Sequence, residues 1–205
     1  MLPNEDEKLD PRVKRTRQMI EQAFSELVTE KGFQALSVQD IAERAGINRA
    51  TFYAHFPDKF ELLNTAIRKD FKQEIDKRML NACHLDIGNL RMLVITVCEF
   101  VDQAHGHCSV IDQQFQSLVE PQVRIQIHEL LSHWLESLPI TNHDTQARVR
   151  VATAVSWALY GLATEWSRSK RMPPVEEYAD QVLPLLAVNL GLGVELARQE
   201  LQFSL

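Results

Sequence analysis

The stretch from Ser37 to Lys59, SVQDIAERAGINRATFYAHFPDK, constrains the fold of this chain more than any other. It reads as two short helices joined by a tight turn. Ser37 can cap the first helix, its hydroxyl accepting the backbone N–H of Asp40, and Val38, Ile41, Ala42 and Ala45 then fall on one face. Gly46 ends that helix, because glycine tolerates the positive φ that a sharp stop needs, and Ile47 can then turn back into the core. Asn48 caps the next helix. Phe52 and Phe56, four residues apart, face inward, which leaves Arg49, Ala50, Thr51, Tyr53, Ala54 and His55 as an outward surface. Pro57 stops it.

Two short helices at a steep angle, the second of them polar, basic and aromatic on its outer face, describe a helix-turn-helix. Such a pair can also be plain scaffold, but a scaffold helix has no need for Arg, Thr, Tyr and His on one exposed face. The run from Phe33 to Leu63 resembles the N-terminal DNA-binding domain of the tetracycline-repressor (TetR) family of bacterial transcriptional regulators. The resemblance rests on Ser37, on Ile41-Ala42-x-x-Ala45-Gly46-Ile47, on Thr51-Phe52-Tyr53, on His55-Phe56, and on Lys59 with Leu62-Leu63. It covers roughly the first quarter to third of the chain.

Chemistry assigns roles within the motif. Arg49 is long, planar and bidentate, and at the start of its helix it is the best reader of guanine; Ala50 can meet a thymine methyl. Thr51, Tyr53 and His55 can donate to phosphates, and Lys59 adds a cation at the positive end of the following helix. The resemblance implies that Ser37, Thr51, Tyr53, His55 and Lys59 contact the DNA backbone and that Arg49 stands where the family varies its base readers. It also implies that the last two major helices pair with their copies in a four-helix dimer interface. A C-terminal bundle would host a small effector that shifts the long helix over 58–80 and changes the separation of two recognition helices. A symmetric dimer reads a palindrome, so the expected partners are a double-stranded operator, a second copy of the chain and a small-molecule effector.

A net charge of −6 sits oddly with DNA binding until it is divided. Residues 1–10 carry −3, residues 11–60 hold eight basic residues against six acidic ones, and residues 61–205 carry −5. Positive charge is therefore concentrated where the motif lies. No apolar run approaches a membrane span, and the start MLPNEDEK lacks the charge and apolarity of a signal peptide, so the expectation is a cytoplasmic protein without a membrane partner. Cys83, Cys98 and Cys108 form no CxxC pair, which suits a reducing compartment.

Taken in order, Asp10-Pro11 starts a first helix whose apolar stripe is Ile20, Ala23, Phe24, Leu27 and Val28, ended by Gly32. Arg12, Lys14, Arg15 and Arg17 at its start either follow a phosphate backbone or minor groove or form a solvated end. Asp58 and Glu61 open a long helix carrying Leu63, Ile67, Phe71, Ile75 and Met79. Further helices are expected over Leu90–Ala104, over a short stretch from Ser109 to Leu118, and from Pro121 to Leu138. Two more follow: from about Asp144 to Arg168, with Val151, Ala154, Val155, Ala158, Leu162 and Trp166 on one side, and from Val175 to Leu190, with a kink at Pro184. The fold class is all-α. Residues 1–57 form a helix-turn-helix DNA-binding domain, and residues 58–205 form an effector-binding and dimerisation bundle.

Small residues Ala154, Ala158, Gly161 and Ala163, with Trp157, Tyr160 and Trp166 nearby, suit a dimer face or packing within one chain. Effector-lining candidates are Phe100, His105, Phe115, His128, Trp134, Trp157 and Tyr160, each of which also suits the core. His105, His107, Cys108, His128 and His133 are ligand-type residues, but His128 and His133 lie about 140° apart on one helix and no HExxH or paired Cys occurs, so no metal site is expected. The absence of GxSxG, of a phosphate-binding glycine loop and of a positioned carboxylate pair argues against an enzyme, and no cofactor is expected. A DNA-binding protein without an effector, recruiting another protein or acting constitutively, is the other reading of the same residues.

Overall fold

The computed structural model describes residues 10–78, 84–107, 113–137 and 145–192, and every regular element among them is helical. The order is α1 (Pro11–Lys31), α2 (Val38–Arg44), α3 (Arg49–His55), α4 (Lys59–Arg78), α5 (Ile87–His107), α6 (Gln113–Ser137), α7 (Thr145–Arg168) and α8 (Val175–Asn189). The all-α expectation holds. The chain divides into two compact units, Met1–Lys69 and Asp70–Leu205, so the division falls inside α4.

The first unit is built on α1. Asp10 caps it, its Oδ1 accepting the Arg12 N–H at 2.8 Å with Pro11 at the first helical position. Ile20, Ala23, Phe24 and Leu27 are buried along its inner face. Against them lie Phe33, Leu36, Ile41, Phe52, Phe56 and Leu62, with Phe24 and Phe33 edge to face at 6.2 Å. α2 and α3 have seven residues each, well short of the ~12–15 that an isolated helix needs. Both persist because caps close their ends and because each buried Phe contributes about 1.5–3 kcal/mol of apolar transfer. Asp58 fixes the start of α4, its Oδ1 accepting from the N–H groups of Phe60 and Glu61 at 2.8 Å each.

The second unit depends on long helices. α5 packs on α7 and α8, and α6 packs on α7. Every residue from Leu93 to Cys98 is buried, and Thr96 within that run satisfies its hydroxyl by donating to the Met92 carbonyl at 2.8 Å. Arg91 forks onto Asp180, Nε to Oδ1 at 2.5 Å, and ties α5 to α8. The pair is part-exposed, so it contributes only about 0–1 kcal/mol. Between α7 and α8, the Trp166 indole N–H donates to the Pro173 carbonyl at 2.8 Å.

Two expectations about this unit need correction. α6 is one helix from Gln113 to Ser137, running through Pro121 where a break was expected. A proline inside a helix costs about 3 kcal/mol, and here Val119, Val123 and Ile127, all buried, hold the segment against its neighbours. On α7 the buried face is Ala152, Val155, Ser156, Leu159, Tyr160, Ala163 and Trp166, whereas Ala154 and Ala158 are exposed. The helix is apolar on two faces, which leaves its periodicity ambiguous in sequence. α8 continues through Pro184 to Asn189. Along α4, Leu63, Ile67, Phe71 and Ile75 are buried as expected, and Met79 lies outside the described residues.

Candidate nucleic-acid interface

The candidate surface lies wholly within the first unit and starts from how α2 and α3 are joined. Ser37 and Asp40 form a reciprocal capping box: the Asp40 N–H reaches Ser37 Oγ at 3.2 Å and the Ser37 N–H reaches Asp40 Oδ2 at 2.8 Å. Lys31, at 2.8 Å from Asp40, is the largest influence holding that carboxyl far below its usual range, with Ser37 next. α2 then ends in two turn bonds, Gly46 N–H to Glu43 O at 3.1 Å and Ile47 N–H to Ala42 O at 3.0 Å. This pairing is a Schellman stop. It puts Gly46 at φ 67°, where a side chain would be strained by about 1–2 kcal/mol. Asn48 Oδ1 accepts the Thr51 N–H at 2.7 Å and opens α3.

α3 presents one face to solvent. Phe52 and Phe56 are 0% and 1% exposed, so the helix cannot rotate, and Arg49, Ala50, Tyr53 and Ala54 are exposed. Tyr53 stands edge-on to Phe52 at 5.6 Å. The Thr51 hydroxyl donates back to Asn48 Oδ1 at 3.0 Å. His55 is half-buried at the end of the helix, and its carbonyl accepts from Arg17 at 3.5 Å while the Arg17 guanidinium lies 4.5 Å over the Phe56 ring. Burial first, and then the Arg17 cation, hold His55 below its ordinary value. These contacts bring the basic start of α1 beside the end of α3.

Ion pairs sort the unit's positive charge. Arg44 forks onto Glu30 with two bonds of 2.8 Å and reaches Glu26 at 3.3 Å, fastening α2 to α1. Lys31 is held by Asp40, Lys69 by Glu21 at 2.6 Å, and Arg68 by Glu61 at 2.9 Å. Arg12, Lys14, Arg15 and Arg49 have no carboxylate partner among the described residues. Lys59 behaves differently again. Its ammonium donates to the carbonyls of Leu36, Phe33 and Gln34 at 2.7, 3.2 and 3.4 Å. Of the residues read from sequence, the structure thus gathers Arg49, Ala50 and Tyr53 on one exposed helix face, leaves His55 half-buried at the helix end, engages Ser37 and Thr51 in caps, and turns Lys59 inward. The Arg17 and Lys59 contacts had no local signal, since their hydrogen bonds to the His55 and Phe33 carbonyls span 38 and 26 residues.

The effector candidates all belong to the second unit. Trp134 is 0% exposed and Tyr160 is 8% exposed; burial, then Glu120, push the Tyr160 phenol up to about 12. Phe100 and His128 are half-buried, with Phe100 4.9 Å from the Phe71 ring. Trp157 is 51% exposed on the outer face of α7, where Arg124 stacks 3.8 Å above it. The side chains of His105, His107 and Phe115, and all of Cys83 and Cys108, lie outside the described ones. Cys98 is buried, which pushes its thiol up to about 12 and leaves it a packing residue. Among the described residues no group of three or more His, Cys, Asp or Glu is placed to hold a metal ion.

Residues 21–66 match the family model described as bacterial regulatory proteins, tetR family. The chain is 39% identical over 79 residues to an uncharacterized HTH-type transcriptional regulator of Bacillus subtilis (strain 168), YxbF. That match covers 37% of this chain and 21% of the other, so the chain spans about a fifth of that relative's length. It is 25% identical over 179 residues to the HTH-type transcriptional repressor KstR2 of Rhodococcus jostii (strain RHA1), covering 80% of this chain and 86% of that one. The fold is shared with the crystal structure of Thermus thermophilus FadR, a TetR family transcriptional repressor in complex with lauroyl-CoA. The TM-score is 0.55 at 19% identity, over 83% of this chain and 92% of that one.

Proposed function

We propose that the chain, whose residues 21–66 match the family model described as bacterial regulatory proteins, tetR family, is a sequence-specific DNA-binding transcriptional regulator, a homodimeric repressor released from a palindromic operator by a small effector. The observation that carries this reading is the outer face of α3. Arg49, Ala50 and Tyr53 are exposed on a helix that Phe52 and Phe56 prevent from rotating, and the uncompensated cations Arg12, Lys14 and Arg15 lie on the helix whose Arg17 stacks on Phe56. Arg49 reads a base, while the α1 cations and Tyr53 hold the phosphates. The experiment is selection of the purified protein against a random duplex library at fixed salt. An inverted repeat is the expected product, and recovery of no motif would reject sequence-specific binding.

Dimerisation is supported by a second, outward apolar face. Trp157, Ala158 and Gly161 on α7 are exposed together with Leu185 and Val188 on α8, the last two at 62% and 67%. A monomer gains nothing from large aliphatic side chains at that exposure, whereas two copies of a helix pair can bury them. The interior of the second unit supports an effector with an apolar portion, because among the described residues the buried polar ones there are Thr96, Gln126 and Ser156 and none is charged. Thermus thermophilus FadR is in complex with lauroyl-CoA, whose acyl chain is apolar while its CoA phosphates are charged, so it supports an apolar portion of the effector and not a neutral whole. A thermal-shift panel tests the effector, since a ligand at a hundred times its dissociation constant adds about 2.7 kcal/mol of stability. No described helix is long and apolar enough to cross a membrane; the cytoplasm is proposed on the DNA-binding reading, since a bacterial transcriptional regulator works where the DNA is.

A further inference from the structure

We propose that Lys59 acts on DNA binding as a positioning residue, clamping the turn that carries α2, and that it does not neutralise a phosphate. This rests on the DNA-binding reading above. An ammonium has three N–H protons, and all three are engaged: Lys59 Nζ lies 2.7 Å from the Leu36 carbonyl, 3.2 Å from that of Phe33 and 3.4 Å from that of Gln34. It also sits 4.6 Å from the centroid of the Phe33 ring and 5.7 Å from that of Phe60, two rings that meet edge to face at 5.3 Å. A cation enclosed by three carbonyls and two ring faces has no proton left for a phosphate oxygen.

The position of the clamp explains its reach. Within the turn over 33–36 the Leu36 N–H donates to the Phe33 carbonyl at 3.2 Å, and the turn runs directly into Ser37, the cap of α2. Lys59 is the first residue of α4, whose start is independently fixed by Asp58. The side chain therefore ties the beginning of α2 to the beginning of α4, and α3 lies between them in sequence with seven residues of its own. Loosening the turn lets α2, and with it the orientation of the Arg49 face, drift.

Salt dependence separates a clamp from a phosphate contact. Each neutralised phosphate adds about 0.9 to the slope of log affinity against log salt. Lys59→Met should weaken binding to the selected duplex about tenfold with an unchanged slope, and should speed amide exchange across Phe33–Leu36 at a temperature where the domain stays folded. Arg15→Ala, as the control, should lower the slope by about 0.9. Lys59→Arg decides the matter if Lys59→Met does not fold. A planar guanidinium cannot send three protons towards carbonyls converging on one point, so the clamp predicts lost affinity, whereas a phosphate contact would be kept or strengthened. A reduced slope in Lys59→Met, or full affinity in Lys59→Arg, would overturn the proposal. If the unmodified protein bound no duplex, the DNA-binding reading would fail, and amide exchange over Phe33–Leu36 would still report on the clamp alone.

Discussion

The two units of this chain solve the same problem, holding helices together, by different means. In Met1–Lys69 the helices that matter are seven residues long and are held by single groups: a capping box at Ser37, a left-handed glycine at 46, an amide at Asn48, and cations from Arg17, Arg44 and Lys59 that reach across the chain. In Asp70–Leu205 the helices run from 15 to 25 residues and are held by extended apolar faces. Short helices must be fixed residue by residue, and that gives a rigid polar surface. Long helices are fixed by area, so they tolerate a proline, an ambiguous face and an exposed Trp.

The largest expected effects ask whether each unit is held by its own core. Phe52→Ala in the first unit and Trp134→Ala in the second each remove a side chain that is 0% exposed, at about 3–5 kcal/mol. Amide exchange resolved by unit should show each loss confined to its own unit, and a loss shared equally would dissolve the comparison. Next comes the readout surface. Arg49→Ala should forfeit about 1–3 kcal/mol of discrimination at one base position while leaving stability unchanged, measured by repeating the duplex selection with the variant.

Smaller still are the single-group fasteners. Asn48→Ala should lower the stability of the first unit by about 1 kcal/mol in urea titration. On the α7–α8 face, Leu185→Asp with Val188→Asp should change monomer stability by under about 0.5 kcal/mol, because both positions are exposed. Sedimentation should nevertheless find monomers, and a persisting dimer would move the pairing face elsewhere. The smallest effect is a pH slope. His55 is held below its ordinary 6.5, so the folded unit takes up the proton less readily than the unfolded chain. Its contribution is fully present above pH 6.5 and is lost as the pH falls from there through the lower folded value. Urea titrations between about pH 7.5 and 5 should show this decline, and His55→Gln should flatten it.

The same contrast governs what could be read from the sequence. Ser37, Gly46, Asn48 and the Phe52–Phe56 pair were legible because each acts on neighbours three or four residues away. Lys59 and Arg17 were legible as charges but not as contacts, since their partners lie 26 and 38 residues distant and nothing local marks the pairing. In the second unit the helices were legible as apolar periods. Their continuity through Pro121 and the division of α7 into buried and exposed faces were not, because both are decided by what the helix packs against.

Trp157 under the Arg124 guanidinium has an optical consequence. All three tryptophans, Trp134, Trp157 and Trp166, belong to Asp70–Leu205, and Trp157 alone is exposed, at 51% against 0% and 4%. An indole in water emits further to the red than one in hydrocarbon, and a stacked cation alters its yield. The chain thus carries its own fluorophore on the face proposed to meet a second copy, and dilution across the association threshold should shift its colour without any added dye. The Met1–Lys69 unit has no tryptophan, so with excitation selective for indole over the phenol of Tyr53 the signal reports the second unit alone.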